Sequence, residues 1–166
     1  QGGDEMSLQT FEINSAKIIF DKEKTKANCT DFNNPCDCQY CRNYYKNLKE
    51  NFELIEFLAD FGVDYLRAEE IMPIDLGNEK GSLINYSAYY CVVGSISKEI
   101  SMKKENCCVS FGISNNINVG HEITDDYFFI VVDIDLPYIL NEEREFPPQS
   151  FHEKIIDKIK SFFKKK

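Results

Sequence analysis

Two segments of this 166-residue chain carry apolar side chains on both faces of an extended strand, and this feature restricts the fold more than any other. One lies near residues 84–97 and the other near residues 127–136. Strands that are apolar on both faces are buried in the middle of a sheet. The links around them are short and polar, whereas a parallel crossover needs about a dozen residues or more. The sequence therefore predicts that neighbouring strands are antiparallel.

The remaining strand candidates bring the expected sheet to about five strands. Residues 8–20 alternate between apolar and polar side chains, but the phase changes at Asn14 and Ser15. A strand cannot change faces without an extra residue or a turn, so this segment is predicted to be a bulged strand or a tight hairpin. Further strands are expected near residues 65–76 and 107–114.

A long helix is predicted over residues 38–61, inserted after the first strand region. Asp37 is the expected N-cap and Gly62 the expected residue just beyond the C-terminal end. The apolar stripe that defines the helix has helical spacing and includes Leu48, Phe52, Ile55 and Ala59. We therefore expect Phe52 and Ile55 to be buried, and Phe52→Ala to cost about 3–5 kcal/mol.

A second, amphipathic helix is predicted at the C-terminus, where Ser150 and Glu153 form a capping box. The expected fold class is α+β, with an antiparallel sheet of about five strands, one long helix and this C-terminal helix. The whole is predicted to be a single domain over residues 6–166. Residues 1–5 are interpreted as a processing remnant.

The composition restricts the function classes. The chain is 43% hydrophobic and 28% charged, which is typical of a folded globular domain. Its net charge of −9 argues against nucleic-acid binding. No apolar run approaches the roughly 20 residues of a transmembrane helix. Because no signal peptide is visible in the sequence, a cytoplasmic location is expected.

A cluster of cysteines is the most specific chemical feature. Cys36, Cys38 and Cys41 fall within six residues at the start of the long predicted helix, and Cys29 lies seven residues upstream of Cys36. Four thiolates form a closed structural zinc site in many proteins. The four cysteines are therefore candidate zinc ligands, although their spacing is not that of a zinc ribbon.

Two other interpretations of the cluster remain open. A thiol at a helix N-terminus has a lowered pKa, so Cys38 and Cys41 could form the reactive pair of a thiol-redox enzyme. The other interpretation is structural, with buried cysteines that anchor the preceding loop to the helix or form one disulfide.

The motif Cys36-x-Cys38-x-x-Cys41-x-Asn43, followed by the predicted helix and the strand near residue 90, resembles a group of small uncharacterised bacterial proteins. The similarity covers roughly residues 8–100. It implies a cytoplasmic bacterial protein with an α+β fold, and it implies no known activity.

The sequence lacks the glycine-rich phosphate loops and nucleophile motifs that identify common enzyme families. The favoured hypothesis is a non-enzymatic binding or interaction module whose partner is an unknown protein or small ligand. The alternatives are the structural zinc site and the thiol-redox enzyme described above.

Overall fold

The structure is a computed structural model that describes residues 8–30, 36–75, 82–117, 119 and 122–144. These residues form seven strands and three short helices. In chain order they are β1 (Leu8–Ile13), β2 (Ala16–Asp21), α1 (Lys22–Thr30), α2 (Gln39–Leu48), α3 (Phe52–Asp60), β3 (Glu70–Ile74), β4 (Ile84–Ile96), β5 (Ile100–Lys103), β6 (Cys107–Gly112) and β7 (Tyr127–Leu136).

The strands form one sheet in the order β1-β2-β4-β7-β6-β5, and β3 also pairs with β4. Every pair is antiparallel, as predicted. Strand β4 organises the sheet, because β7 covers one of its edges while β3 and β2 share the other. Among the helices of the described segments, none has the length and apolar composition needed to cross a bilayer.

The predicted count of about five strands is wrong, because the sheet has seven. Residues 8–20 are a tight hairpin of two strands, in which Asn14 and Ser15 both have positive φ values, 44° and 62°. Such angles are typical of the type I′ turns that match the twist of hairpins. The seventh strand, β5, lies between the strands expected near residues 84–97 and 107–114, where the sequence predicts no strand.

The prediction of one long helix is also wrong. The chain turns between α2 and α3, and the Asn51 side chain caps α3 by accepting a hydrogen bond of 3.1 Å from the Leu54 N–H. The buried face of α3 carries Leu54 and Leu58, so Phe52 is 70% exposed and Ile55 is only half-buried. The predicted burial of Phe52 is therefore wrong. The chain turns and starts a second helix after Asn51, so α3 does not bury the face that one continuous helix over residues 38–61 would bury.

Three further outcomes concern the helices. Asp37 does not cap α2, because Cys38 occupies the N-cap position. No helix is predicted for residues 22–30, which nevertheless form α1, a helix without an apolar stripe. Helix α1 is held instead by buried Thr25, whose hydroxyl oxygen accepts a 3.1 Å hydrogen bond from the Val93 N–H. The predicted C-terminal helix lies outside the described residues.

The main hydrophobic core lies between one face of the sheet and helices α2 and α3. In and against this core lies a group of aromatic rings whose centroids are 4.6–6.3 Å from their neighbours, Phe11, Phe20, Phe57, Phe61 and Phe111. A smaller apolar cluster covers part of the opposite face and includes buried Cys91 and Phe129.

Gly62 ends α3 in a conformation that other residues rarely adopt, with φ +83°. The Gly62 N–H bonds Ala59 O at 3.0 Å and the Val63 N–H bonds Leu58 O at 3.1 Å, which is the Schellman arrangement. The predicted role of Gly62 at this helix end is confirmed. A Cβ on Gly62 would lie 2.3 Å from the Lys22 carbonyl oxygen.

We expect Gly62→Ala to lower the free energy of unfolding by about 1–3 kcal/mol, because the left-handed backbone and the contact with α1 both oppose a side chain. Gly112→Ala is the matched control, since a Cβ there meets only the Glu99 side chain at 3.4 Å. Urea denaturation of both variants measures the difference. Equal losses at the two glycines would contradict the expectation.

Candidate metal centre

The sulfur atoms of Cys36, Cys38 and Cys41 come together at the start of α2. All three Sγ atoms lie within 4.8 Å of one another. Three points this close fit within about 2.8 Å of a common centre, and a Zn–S bond is about 2.3 Å long. Shifts of about half an ångström would therefore bring all three sulfurs to bonding distance from a single ion.

The local backbone produces this convergence. Cys38 caps α2 in an extended conformation, with φ −70° and ψ 162°, so the chain enters the helix through a sharp change of direction. The Arg42 N–H then bonds Cys38 O at 3.0 Å and opens the first turn, which contains Cys41. The Arg42 side chain also bonds the Asp37 carbonyl oxygen and the Glu142 carboxylate. These contacts hold the segment before α2 against the helix.

The three thiols differ in exposure. Cys41 is buried, with 5% of its surface exposed, whereas Cys36 and Cys38 are exposed. The cluster therefore has one sulfur anchored in the protein interior and two at the surface. An ion or a small reagent can reach it directly from solvent.

The environment separates the acidities of Cys38 and Cys41. Partial burial raises the pKa of the Cys38 thiol, but the backbone N–H groups of Cys41 and Tyr40 and the other two thiols outweigh it, so this pKa lies below the usual value. The Cys38 side chain makes no capping hydrogen bond, so the N–H groups act as nearby dipoles. Burial is the largest effect that raises the pKa of the Cys41 thiol, and the neighbouring Cys38 thiol raises this pKa further.

Asn43, the last residue of the motif, fixes α2 to the sheet. Its side-chain amide is fully buried, donates to Tyr86 Oη at 3.0 Å and to Pro137 O at 3.1 Å, and accepts from the Ile139 N–H at 2.8 Å. Neighbouring Asn47 also donates to Pro137 O at 3.0 Å. Helix α2, which carries Cys41 and begins just after Cys38, is therefore positioned by the chain that leaves β7.

A buried ion pair adjoins the cluster and was not anticipated from the sequence. Arg144 donates to both carboxylate oxygens of Asp75, at 2.6 and 3.0 Å, and its remaining nitrogen donates to Ser82 O at 2.9 Å. Tyr40, from the motif itself, donates to the same carboxylate at 3.3 Å. Burial, followed by the charge of Asp75, raises the pKa of Tyr40 to about 12, so its hydroxyl remains a donor.

Cys29, the fourth ligand predicted from the sequence, is not part of the group. It lies on α1, and its Sγ is 4.0 Å from the Gly62 carbonyl oxygen, where burial raises the pKa of the thiol. Its place is set by the packing of α1 against β4 and the end of α3. The structure brings together three of the four predicted ligands, and in the described part of the chain no fourth Cys, His, Asp or Glu joins them.

The other cysteines lie in the sheet. Cys91 is buried in the smaller apolar cluster, as its position in a two-sided strand predicted. Cys107 and Cys108 are half-buried in β6, and Cys107 packs against the main core. The thiols that come together are therefore those of the sequence motif alone.

Comparison with known proteins adds no assignment. No family model matches the chain, and neither the search of curated proteins nor the search of solved structures found a significant match.

Proposed function

We propose that this chain is a non-enzymatic binding protein whose ligand is a thiophilic metal ion, with zinc the first choice, held by Cys36, Cys38 and Cys41. The observation that supports this proposal is the convergence of three Sγ atoms within 4.8 Å. Thiolates are soft ligands, and they favour zinc and Cu(I) over the hard cations Mg²⁺ and Ca²⁺.

The bound ion would connect the extended segment at Cys36 to the first turn of α2 at Cys41. Three protein ligands leave the fourth position of tetrahedral zinc to water or to a group from a binding partner. Because Cys36 and Cys38 are exposed, that position would face solvent. An unknown protein or small ligand could then bind by supplying the fourth ligand of the metal ion. In this way the chain would be both a zinc-binding protein and a binding module.

The proposal extends to the cellular setting. Thiolate ligands must stay reduced to hold a metal, and the cytoplasm keeps thiols reduced. A cytoplasmic bacterial protein, as the motif resemblance implies, is the setting that we propose.

The direct test is a zinc titration of the reduced full-length chain against a competing chromophoric chelator. We expect one equivalent of zinc per chain. Replacing an exposed ligand, in Cys36→Ser or Cys38→Ser, should weaken zinc binding by about 100-fold or more. This loss exceeds the loss of roughly 10–100-fold that follows removal of residues that only hydrogen-bond to metal ligands. Cys29→Ser is the matched control and should leave the affinity unchanged.

Co²⁺ provides a second readout, because its thiolate charge-transfer absorption grows with the number of sulfur ligands. We expect the absorption to fall in Cys36→Ser and Cys38→Ser and to stay constant in Cys29→Ser. Equal losses in all three variants would restore the four-thiolate site. Absence of stoichiometric zinc or cobalt binding by the reduced chain would end the proposal.

A further inference from the structure

We propose that the same cluster also undergoes a stoichiometric, non-catalytic exchange with small-molecule disulfides of the glutathione class, in which Cys38 attacks and Cys41 resolves. This activity does not require the metal. It follows from the positions of the two sulfurs rather than from any ligand between them.

Solvent exposure distinguishes the attacking cysteine from the resolving cysteine. Cys38 is exposed, so a dissolved disulfide can reach its sulfur, whereas Cys41 is buried and is shielded from such a reagent. Cys38 is also the N-cap residue of a ten-residue helix whose first turn contains Cys41, so the exposed sulfur and the buried sulfur are neighbours. Cys38 is therefore the expected nucleophile, and a mixed disulfide should form there first.

The Cys41 sulfur is placed to finish the reaction. Its Sγ lies within 4.8 Å of the Cys38 Sγ, and the two residues are three apart across the first turn, the spacing at which side chains on a helix meet. A disulfide needs an S–S distance of about 2.05 Å, which rotation of the exposed Cys38 side chain toward Cys41 can supply. An intramolecular attack from this position competes well with attack on the mixed disulfide by a thiol from solution.

The exchange consists of two steps that balance. The Cys38 thiolate attacks one sulfur of oxidised glutathione, the glutathione S–S bond breaks, and one glutathione thiolate leaves. Cys41 then loses its proton to solvent and its sulfur attacks the Cys38 sulfur, which expels the second glutathione thiolate. The two protein thiols lose two electrons, and the glutathione disulfide gains them.

Cys36 is the alternative partner, since it is exposed and its sulfur belongs to the same group. Only one residue separates Cys36 from Cys38, so a bridge between them would close a small ring across an extended backbone. The bridge between Cys38 and Cys41 closes over a helical turn instead. We therefore assign the resolving role to Cys41.

The test uses the reduced, metal-free full-length chain treated with oxidised glutathione, quenched with an alkylating reagent and analysed by mass spectrometry of peptides. The wild type should end as a Cys38–Cys41 disulfide with no glutathione attached. Cys41→Ser and Cys41→Ala should stop at a mixed disulfide on Cys38. Cys38→Ser should react at least ~10-fold more slowly, and Cys108→Ser, outside the cluster, should react like the wild type.

Circular dichroism establishes that each variant is folded, and the exposed Cys38→Ser variant keeps the test decisive if the Cys41 variants do not fold. Three results for the wild type would overturn the proposal. These are glutathione that stays attached to the protein, a Cys36–Cys38 disulfide, or equal reaction at all seven cysteines.

Adding zinc to the wild type separates the two proposals. Slowed exchange supports both, unaffected exchange overturns only the metal site, and zinc binding without exchange overturns only the dithiol activity.

Discussion

Replacing Asp75 with Asn is expected to lower the free energy of unfolding by about 3–5 kcal/mol, the cost of leaving one member of a buried ion pair without its partner. The side chains of Asp75 and Arg144 are 1% and 7% exposed, so solvent does not replace the lost charge. The substitution leaves the Arg144 guanidinium buried opposite a neutral amide. Urea denaturation of Asp75→Asn beside the wild type measures the loss.

Two controls show whether burial is the cause. Asp125 also pairs with a basic residue, Lys24, at 2.9 Å, but both side chains are 45% exposed, so Asp125→Asn should cost less than about 1 kcal/mol. The double variant Asp75→Leu with Arg144→Met removes both charges and should recover most of the loss. A loss in Asp75→Asn no larger than in Asp125→Asn would contradict the prediction.

Phe61→Ala is expected to have an equally large effect, a loss of about 3–5 kcal/mol. Phe61 is 2% exposed and follows the last residue of α3. Its ring centroid lies 4.6 Å from that of Phe20 and 5.6 Å from that of Phe111, so its removal leaves a cavity that rigid aromatic neighbours cannot fill.

The matched control lies at the other end of the same helix. Phe52 is 70% exposed, so Phe52→Ala should change the free energy of unfolding by no more than about 0.5 kcal/mol. Thermal and urea denaturation of the two variants measure the loss in free energy of unfolding for the same Phe→Ala substitution at a buried and at an exposed position. If Phe52→Ala were the more destabilising variant, α3 would present the face predicted from the continuous-helix pattern.

The sheet was largely predictable from the sequence because burial leaves a strong signal in strands. Apolar side chains on both faces of β4 and β7 indicate strands buried in the middle of the sheet, and the short links require antiparallel pairing. The hairpin at Asn14 and Ser15 was visible as a change of phase. Strand β5 was missed because an edge strand of four residues carries only two apolar side chains, Ile100 and Met102.

The helices were harder to predict, since their limits depend on caps rather than on hydrophobicity. Leu48 and Phe52 keep helical spacing across the polar turn between α2 and α3, and only the Asn51 cap shows that the helix ends and begins again. Helix α1 has no apolar stripe and depends on tertiary hydrogen bonds of Thr25, which local sequence does not show.

For the candidate site, the short spacing of Cys36, Cys38 and Cys41 was enough to predict their proximity, because one helical turn and its cap bring them together. The place of Cys29 could not be predicted, since it depends on how α1 packs. The Asp75–Arg144 pair joins residues 69 positions apart, and no local pattern identifies such a pair.

The place of β7 in the sheet has a consequence for how the chain folds as it is synthesised. Strands β4 and β6 do not pair with each other; each pairs with β7, which lies between them and is the last strand of the described chain to leave the ribosome. Synthesis proceeds at about 5–20 residues per second, so β4 and β6 spend seconds with unpaired edges. During that interval the nascent chain presents apolar strand edges of the kind that chaperones bind and that drive aggregation.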